Sequence, residues 1–355
     1  MAAPRVLLQQ DEGDLVLAKM RQMMVGLVCA LASATMAAQT VPASNTPVPQ
    51  DSTPAAPQAP AAQATNPFPA VNPKNFTADT PSVEEVNSFL KALWGYDINR
   101  IWQVEGIVKT PAPGVAKVVI LVADKRAPGK TSSLVFFTTP DGKHAIAENV
   151  MDFGAKPFAD ARKALQERAS GPAKGAKGND LLLVEFADLN CDRCREAQEK
   201  MDSLEQDFPQ ARIIFENAPQ SSHPYAERAA LDGVCVRKTK GDAAFFSYAR
   251  AVYAKQAGLT ATSADETLKA ALTAAGADPA AVAACAALPE TKATVDASVK
   301  LARDLGAVQV PMLAVNGHFL AIDSLPYDTL KQMIAFQAGQ DGITVHLQPT
   351  LTTLK

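Results

Sequence analysis

The chain has 355 residues, 34 basic and 37 acidic side chains, and a formal net charge of −3. An apolar fraction of 47 % suffices for real cores, so a fully disordered chain is excluded, and the length suits two domains. The near-neutral balance argues against an electrostatic nucleic-acid binder.

Met23 to Ala32 is a short apolar run, preceded by Lys19 and Arg21 and followed by the small residues Ala32-Ser33-Ala34. A cationic start, a short apolar middle and a small-x-small site predict a secretory signal within residues 1–38. A membrane anchor is the competing reading, but a spanning helix needs about 20 apolar residues. Asp11, Glu12 and Asp14 suit a signal's basic start poorly, so Met20 is the expected initiator. Val28 stands where a lipoprotein signal places a small residue before its cysteine, so lipidation of Cys29 is not expected. Cys29 would leave with the signal. Cys191, Cys194, Cys235 and Cys285 then remain, an even number that suits an oxidising compartment. No other stretch is long and apolar enough to span a bilayer, so a soluble, exported protein is expected.

Residues 39–75 read as a disordered Pro/Ala-rich linker: nine of the 25 prolines fall between Pro42 and Pro73, and no hydrophobic period appears. Ser82-Val83-Glu84-Glu85 is a capping-box pattern, and Val83, Val86, Leu90 and Leu93 recur at helical spacing. Strands are expected at Ile101–Val108, Val115–Val122 and Ser133–Thr138, then a turn at Pro140–Lys143 and a return strand at His144–Val150. Residues 76–155 therefore predict a small α+β unit, one helix on an antiparallel sheet. Lys156–Ala169 predicts a polar helix with the thin stripe Phe158, Ala161, Leu165, ended by Gly171–Gly175; residues 156–175 are read as a linker helix, a spacer or arm.

The second unit, 176–340, opens on Asp180–Phe186, a near-continuous apolar run that predicts a strand buried on both faces. A helix over Cys191–Phe208 and a strand at Arg212–Phe215 follow. Residues 224–306 are helical in pattern, with breaks near Lys240-Gly241 and Ala275-Gly276. The chain then predicts strand Met312–Val315, turn Asn316-Gly317, strand His318–Ile322 and helix Pro326–Phe336. This β-α-β, helical insertion, β-β-α order is α/β in class, and the tail 341–355 has no assigned role.

The strongest chemical signal is Cys191-Asp192-Arg193-Cys194, which follows the buried strand and opens a helix. Side chains three apart share a helix face, so the two sulfurs can close a small disulfide ring. Free amides and the partial positive charge of a helix N-terminus favour a thiolate at Cys191, the form that attacks a disulfide. Cys194, one turn inside, is the resolving thiol. Arg193 would support the thiolate and Asp192 oppose it. Two other readings of the pair are a zinc site and an inert structural disulfide. Zinc ribbons supply a second close pair, whereas Cys235 and Cys285 stand far apart in sequence, and the strand-to-helix placement argues against an inert bond. His144, His223, His318 and His346 show no metal-ligand spacing, and no metal is expected.

Residues 180–338 resemble the thioredoxin-like domain of the bacterial periplasmic Dsb proteins. The match rests on Cys191/Cys194 after the first strand, on Glu185 six residues before Cys191, and on Val310-Pro311 before the strand at Met312. The long insertion, its opening His223-Pro224-Tyr225 and the valine before Pro311 are similar to the DsbA branch. The resemblance implies a thioredoxin fold with a helical insertion and a cis-proline facing the cysteines. It also implies that Val310-Pro311 binds extended substrate and that Cys235–Cys285 is a structural disulfide, with a second redox couple as the alternative. A buried Glu185 would have its pKa raised and could take the Cys194 proton.

Asp141-Gly142-Lys143-His144-Ala145-Ile146 and Met151-Asp152 resemble the dimerisation domain of the isomerases DsbC and DsbG. That likeness implies a small cystatin-like helix-on-sheet domain and a homodimer. The front half thus points to an isomerase and the second half to an oxidase. Either way the expectation is a periplasmic enzyme acting on unfolded or misoxidised envelope proteins. It would be reset by a redox partner and would need no organic cofactor. The rivals are a non-catalytic chaperone or binding module and a dedicated thiol reductase of one envelope partner.

Overall fold

The computed structural model describes residues 66–345, apart from 148–149 and 308. The expected signal with Cys29, most of the expected linker, and residues 346–355 lie outside the described residues.

Helix α1 (Val83–Trp94) starts at Ser82, whose hydroxyl accepts the Glu85 amide while the Glu85 carboxylate accepts the Ser82 amide. This reciprocal bonding satisfies two otherwise orphaned donors. The helix buries Val86, Phe89 and Leu90 against a five-stranded sheet. The strands are β1 (Arg100–Lys109), β2 (Ala116–Asp124), β3 (Thr131–Thr138), β4 (His144–Ile146) and β5 (Val150–Asp152). They lie in chain order, each antiparallel to the next. Val104, Ile107, Val118, Ile120 and Phe136 face the helix.

Two expectations are corrected here. The return strand over His144–Val150 is two short strands that pair with each other, Ile146 opposite Val150, so the chain reverses inside that span. Hydrophobic alternation does not register such a reversal when each arm is three residues long. The end of the expected linker is also ordered. Asn72 caps a 3-10 turn at Pro73–Asn75, Phe76 bridges Ile107, and Gln103 donates to the Pro69 carbonyl. The exposed flank of β1 supplies the backbone partners that this proline-rich stretch cannot supply to itself.

Helix α2 (Ala159–Arg168) lies in the segment read as a spacer, but it is docked. Leu165 is fully buried in the core of the second unit. Arg162 donates to the Asp180 carbonyl and pairs with Asp341, and Gln166 donates to the Asn179 carbonyl. After it, Ala173–Gly175 forms a short strand, β6, where the sequence suggested only a helix stop.

The second sheet continues with β7 (Leu181–Ala187), helix α3 (Asp192–Asp207) and β8 (Ala211–Asn217). The insertion has five helices: α4 (Ala226–Lys240), α5 (Asp242–Ala254), α6 (Ala264–Ala274), α7 (Pro279–Ala286) and α8 (Pro289–Asp304). The hairpin β9 (Met312–Val315) and β10 (His318–Leu320) and helix α9 (Tyr327–Gln340) complete it. Asn316 and Gly317 turn that hairpin with positive φ of 47° and 92°, the two-residue geometry that Asn-Gly favours.

The sheet order is β10-β9-β7-β8-β6, with β7 parallel to β8 and antiparallel to β9. Every residue of β7 is buried. Leu182, Val184 and Phe186 face the insertion, whereas Leu181 and Leu183 face Met201 and Leu204 of α3 and Leu330 and Ile334 of α9. A strand covered on both faces needs apolar residues at successive positions, which explains the unbroken run.

Replacing Leu165 with Ala is expected to destabilise the second unit by roughly 2–5 kcal/mol in urea unfolding. A free-standing spacer would tolerate the change without loss.

Candidate active site

Strand β7 ends at Ala187, and Asp188-Leu189-Asn190 carries the chain to Cys191, the N-cap residue of α3. The loop is tied locally. The Asp188 carboxylate accepts the Asn190 amide at 2.7 Å, and the Asp188 carbonyl accepts the Cys191 amide at 3.1 Å. Cys194 lies in the first turn of the helix. Both cysteines are buried free thiols, and the Asp188 amide reaches Cys194 Sγ at 3.5 Å.

The two sulfurs are electrostatically unlike. The Cys191 thiol is pulled below its ordinary range, first by a hydrogen bond from the Cys194 thiol and then by the Cys194 and Arg193 amides. Neither amide closes a full capping bond to the sulfur, so the helix terminus acts through its field more than through one contact. Burial and the Asp188 charge work the other way. The Cys194 thiol is pushed up by burial, by donating its hydrogen to Cys191, and by the charges on Cys191 and Glu185. One sulfur is thus favoured as an anion and the other as a proton carrier.

Glu185 is 3 % exposed on β7. Its Oε1 accepts Gln198 Nε2 at 2.7 Å, and the same amide group donates to the Cys194 carbonyl at 3.1 Å. Burial raises its pKa to about 7, against the opposing pull of Gln198 and Lys174.

The Val310–Pro311 peptide is cis, and both residues are buried just before β9. The Val310 carbonyl oxygen lies 4.0 Å from Cys191 Sγ. Cys191, Cys194, Val310 and Pro311 therefore meet at one place, with Glu185 joined to Cys194 through Gln198. Cys235 on α4 and Cys285 on α7 are bonded to each other and clip two insertion helices together. The charges between the cysteines are both matched: Arg193 pairs with Asp323 at 3.2 Å, and Asp192 with Arg195 at 3.4 Å. Neither is free to act at full strength on the thiolate. Among the described residues no group of three or more His, Cys, Asp or Glu is placed to hold a metal ion.

Sequence reasoning missed Asp188, Gln198, Tyr253 and Gln256 and gave His223 no task. Tyr253 donates to the Asp188 carbonyl at 3.4 Å and Gln256 to the Leu189 carbonyl at 2.9 Å. Both come from the insertion, so no local spacing could have announced them. Gln198 was within reach, four residues after Cys194 on one helix face.

Residues 168–335 match the thioredoxin family model. No curated protein matches the chain. Among solved structures, the chain is similar to Proteus mirabilis ScsC in a transitional conformation. The identity is 21 % and the TM-score 0.44, covering 52 % of this chain and 78 % of that one. It is also similar to a periplasmic thioredoxin-like protein from Salmonella enterica serovar Typhimurium, at 22 % identity and TM-score 0.43, over 50 % and 96 % of the two chains. BdbD from Bacillus subtilis, in its oxidised form, matches at 18 % identity and TM-score 0.42, over 48 % and 93 %. The second unit accordingly has a thioredoxin-like fold with a helical insertion.

Glu185 makes stability depend on pH. Its folded pKa, about 7, lies above the ordinary 4.5, so its contribution is complete below about pH 4.5 and is lost as pH rises through about 7. Glu185→Gln has no proton to lose. Its stability relative to the wild type, both reduced, should rise between those limits by roughly 3 kcal/mol in urea unfolding. A flat difference would show a solvated or ion-paired carboxyl.

Proposed function

We propose that this protein is an exported thiol–disulfide oxidoreductase that exchanges disulfides with envelope proteins through Cys191 and Cys194. The observation that carries this reading is the placement of two buried free thiols, Cys191 at the N-cap of α3 and Cys194 in its first turn, with the Cys191 sulfur 4.0 Å from the carbonyl oxygen of Val310.

In the reducing direction the Cys191 thiolate attacks one sulfur of a client disulfide. The client S–S bond breaks and a Cys191–client bond forms. Glu185 takes the Cys194 proton, and the Cys194 thiolate attacks Cys191 Sγ, closing the 191–194 disulfide and releasing the client thiolate. The oxidising direction is the reverse, with Glu185 returning the proton to Cys194. The backbone at Val310-Pro311 orients the client as a short added strand. A redox partner restores the pair after each turnover. An oxidase is held oxidised and an isomerase reduced, so the equilibrium constant of the pair against glutathione sorts the two roles.

The active form is a homodimer joined through the sheet of β1–β5. Two features support this. Leu134, Val135 and Phe137 on β3, with Val150 and Met151 on β5, are exposed apolar side chains. Along Thr131–Phe136 the edge of β3 away from β2 has no strand partner among the described residues, because β4 reaches only Phe137 and Thr138. An open, apolar edge of this kind is a pairing surface.

Cys194→Ala should accumulate mixed disulfides through Cys191, and Cys191→Ser should lower disulfide exchange to the uncatalysed rate. A Cys191→Ser protein that still exchanges disulfides overturns the reading. Unchanged client binding without exchange in the wild type marks a binding module, and a single trapped client marks a dedicated reductase. Light scattering should give twice the chain mass for the wild type and the single mass for Val135→Glu/Phe137→Glu. A monomeric wild type would remove the dimer.

A further inference from the structure

The mechanism above leaves unused a buried carboxylate with a histidine bonded to it. The Asp188 side chain is wholly buried, and His223 is about a third exposed. Asp188 Oδ2 lies 2.7 Å from His223 Nδ1 and accepts the Gln220 amide at 2.9 Å, while Oδ1 accepts the Asn190 amide. A carboxylate only accepts hydrogen bonds, so Nδ1 carries the hydrogen and Nε2 is left for the surface.

The backbone of the same residue holds both cysteines. Its carbonyl accepts the Cys191 amide, and its amide points at Cys194 Sγ. Its carbonyl also accepts the Tyr253 hydroxyl from α5. Asp188 is therefore the junction between the cysteine loop and the insertion, and His223 stands at the start of that insertion. Its buried charge opposes the Cys191 anion, and an N–H donor aimed at it draws that charge away from the sulfur.

We infer that His223 is a positioning residue for thiol exchange: bonded to Asp188, it fixes the loop that carries both cysteines and screens the Asp188 charge from the Cys191 thiolate. The inference rests on the redox reading above. The other ionisable groups around the pair are Glu185 on β7, Arg193 and Asp192 on α3, and Tyr253 on α5. Among the described residues, His223 supplies the one side-chain bond to the Asp188 carboxyl.

The test is the rate of Cys191 alkylation by iodoacetamide in the reduced full chain at a fixed, mildly acidic pH, with the thiolate absorbance followed across pH. His223→Leu, which keeps the bulk and removes the donor, should slow alkylation by about three- to tenfold, since tenfold corresponds to one pKa unit. Asp188→Asn should speed it, and His223→Leu added to Asp188→Asn should change nothing further. A merely structural role would move both single variants in the same direction. Should Asp188→Asn fail to fold, the His223 variants decide alone, with His223→Leu slow and His223→Gln, which keeps an N–H donor, closer to the wild type. Equal rates in His223→Leu and the wild type, or faster alkylation in His223→Leu, overturn the inference. A wild type with an ordinary Cys191 thiol sinks the redox reading itself, whereas a poised thiolate that ignores His223→Leu sinks this inference alone.

Discussion

Two unlike sulfurs at the opening of α3 organise the site: the Cys191 thiol is pulled down by its Cys194 partner and by the Cys194 and Arg193 amides, against burial and the Asp188 charge, while burial above all pushes the Cys194 thiol up. The helix terminus points its amides at the first sulfur. Burial and the Glu185 carboxyl keep the second sulfur protonated. Exchange chemistry needs this inequality, because two equally acidic thiols would compete for the same client sulfur and neither would serve as the releasing group.

The scaffold maintains the inequality through β7. Covered on both faces, this strand has no freedom to shift register, because a slip by one residue would exchange the contents of two cores. Glu185 on this strand and Asp188 just past its end stand at fixed offsets before the cysteines. The antiparallel neighbour β9 enters from Val310-Pro311, so one sheet sets the distance from the Val310 carbonyl to the Cys191 sulfur. The insertion then closes the far side, with Tyr253 and Gln256 bonded to the carbonyls of Asp188 and Leu189.

The same design makes the site costly to hold together. Glu185, Asp188 and Glu216 are all buried carboxyls. Each is compensated by donors: Gln198 for Glu185, two amides and His223 for Asp188, and the Ser170 and Gly171 amides with Ser298 for Glu216. Removing one partner leaves an uncompensated acceptor in a low-dielectric interior, which is why such residues act as sets.

Local chemistry was legible in the sequence. The capping box, the doubly buried run at β7, the Asn-Gly turn and the opening of α3 at Cys191 each depend on residues within one turn or one strand, so pattern and propensity determine them. The pairing of β4 with β5, the strand β6, and the docking of α2 by Leu165 were not legible. The strand β6 and the docking of α2 depend on partners far along the chain, and β4 and β5, though neighbours in sequence, are three-residue strands that carry too little alternation to declare themselves. The site divides in the same way. Cys191, Cys194, Glu185 and Pro311 stood out by type and order, but the approach of Val310 to Cys191, the ion pair of Arg193 with Asp323 and the bond from Asp188 to His223 arise only when segments distant in sequence fold together. Sequence determines which groups can react, and tertiary packing alone decides which of them bears the charge, because that depends on burial and on donors brought from elsewhere.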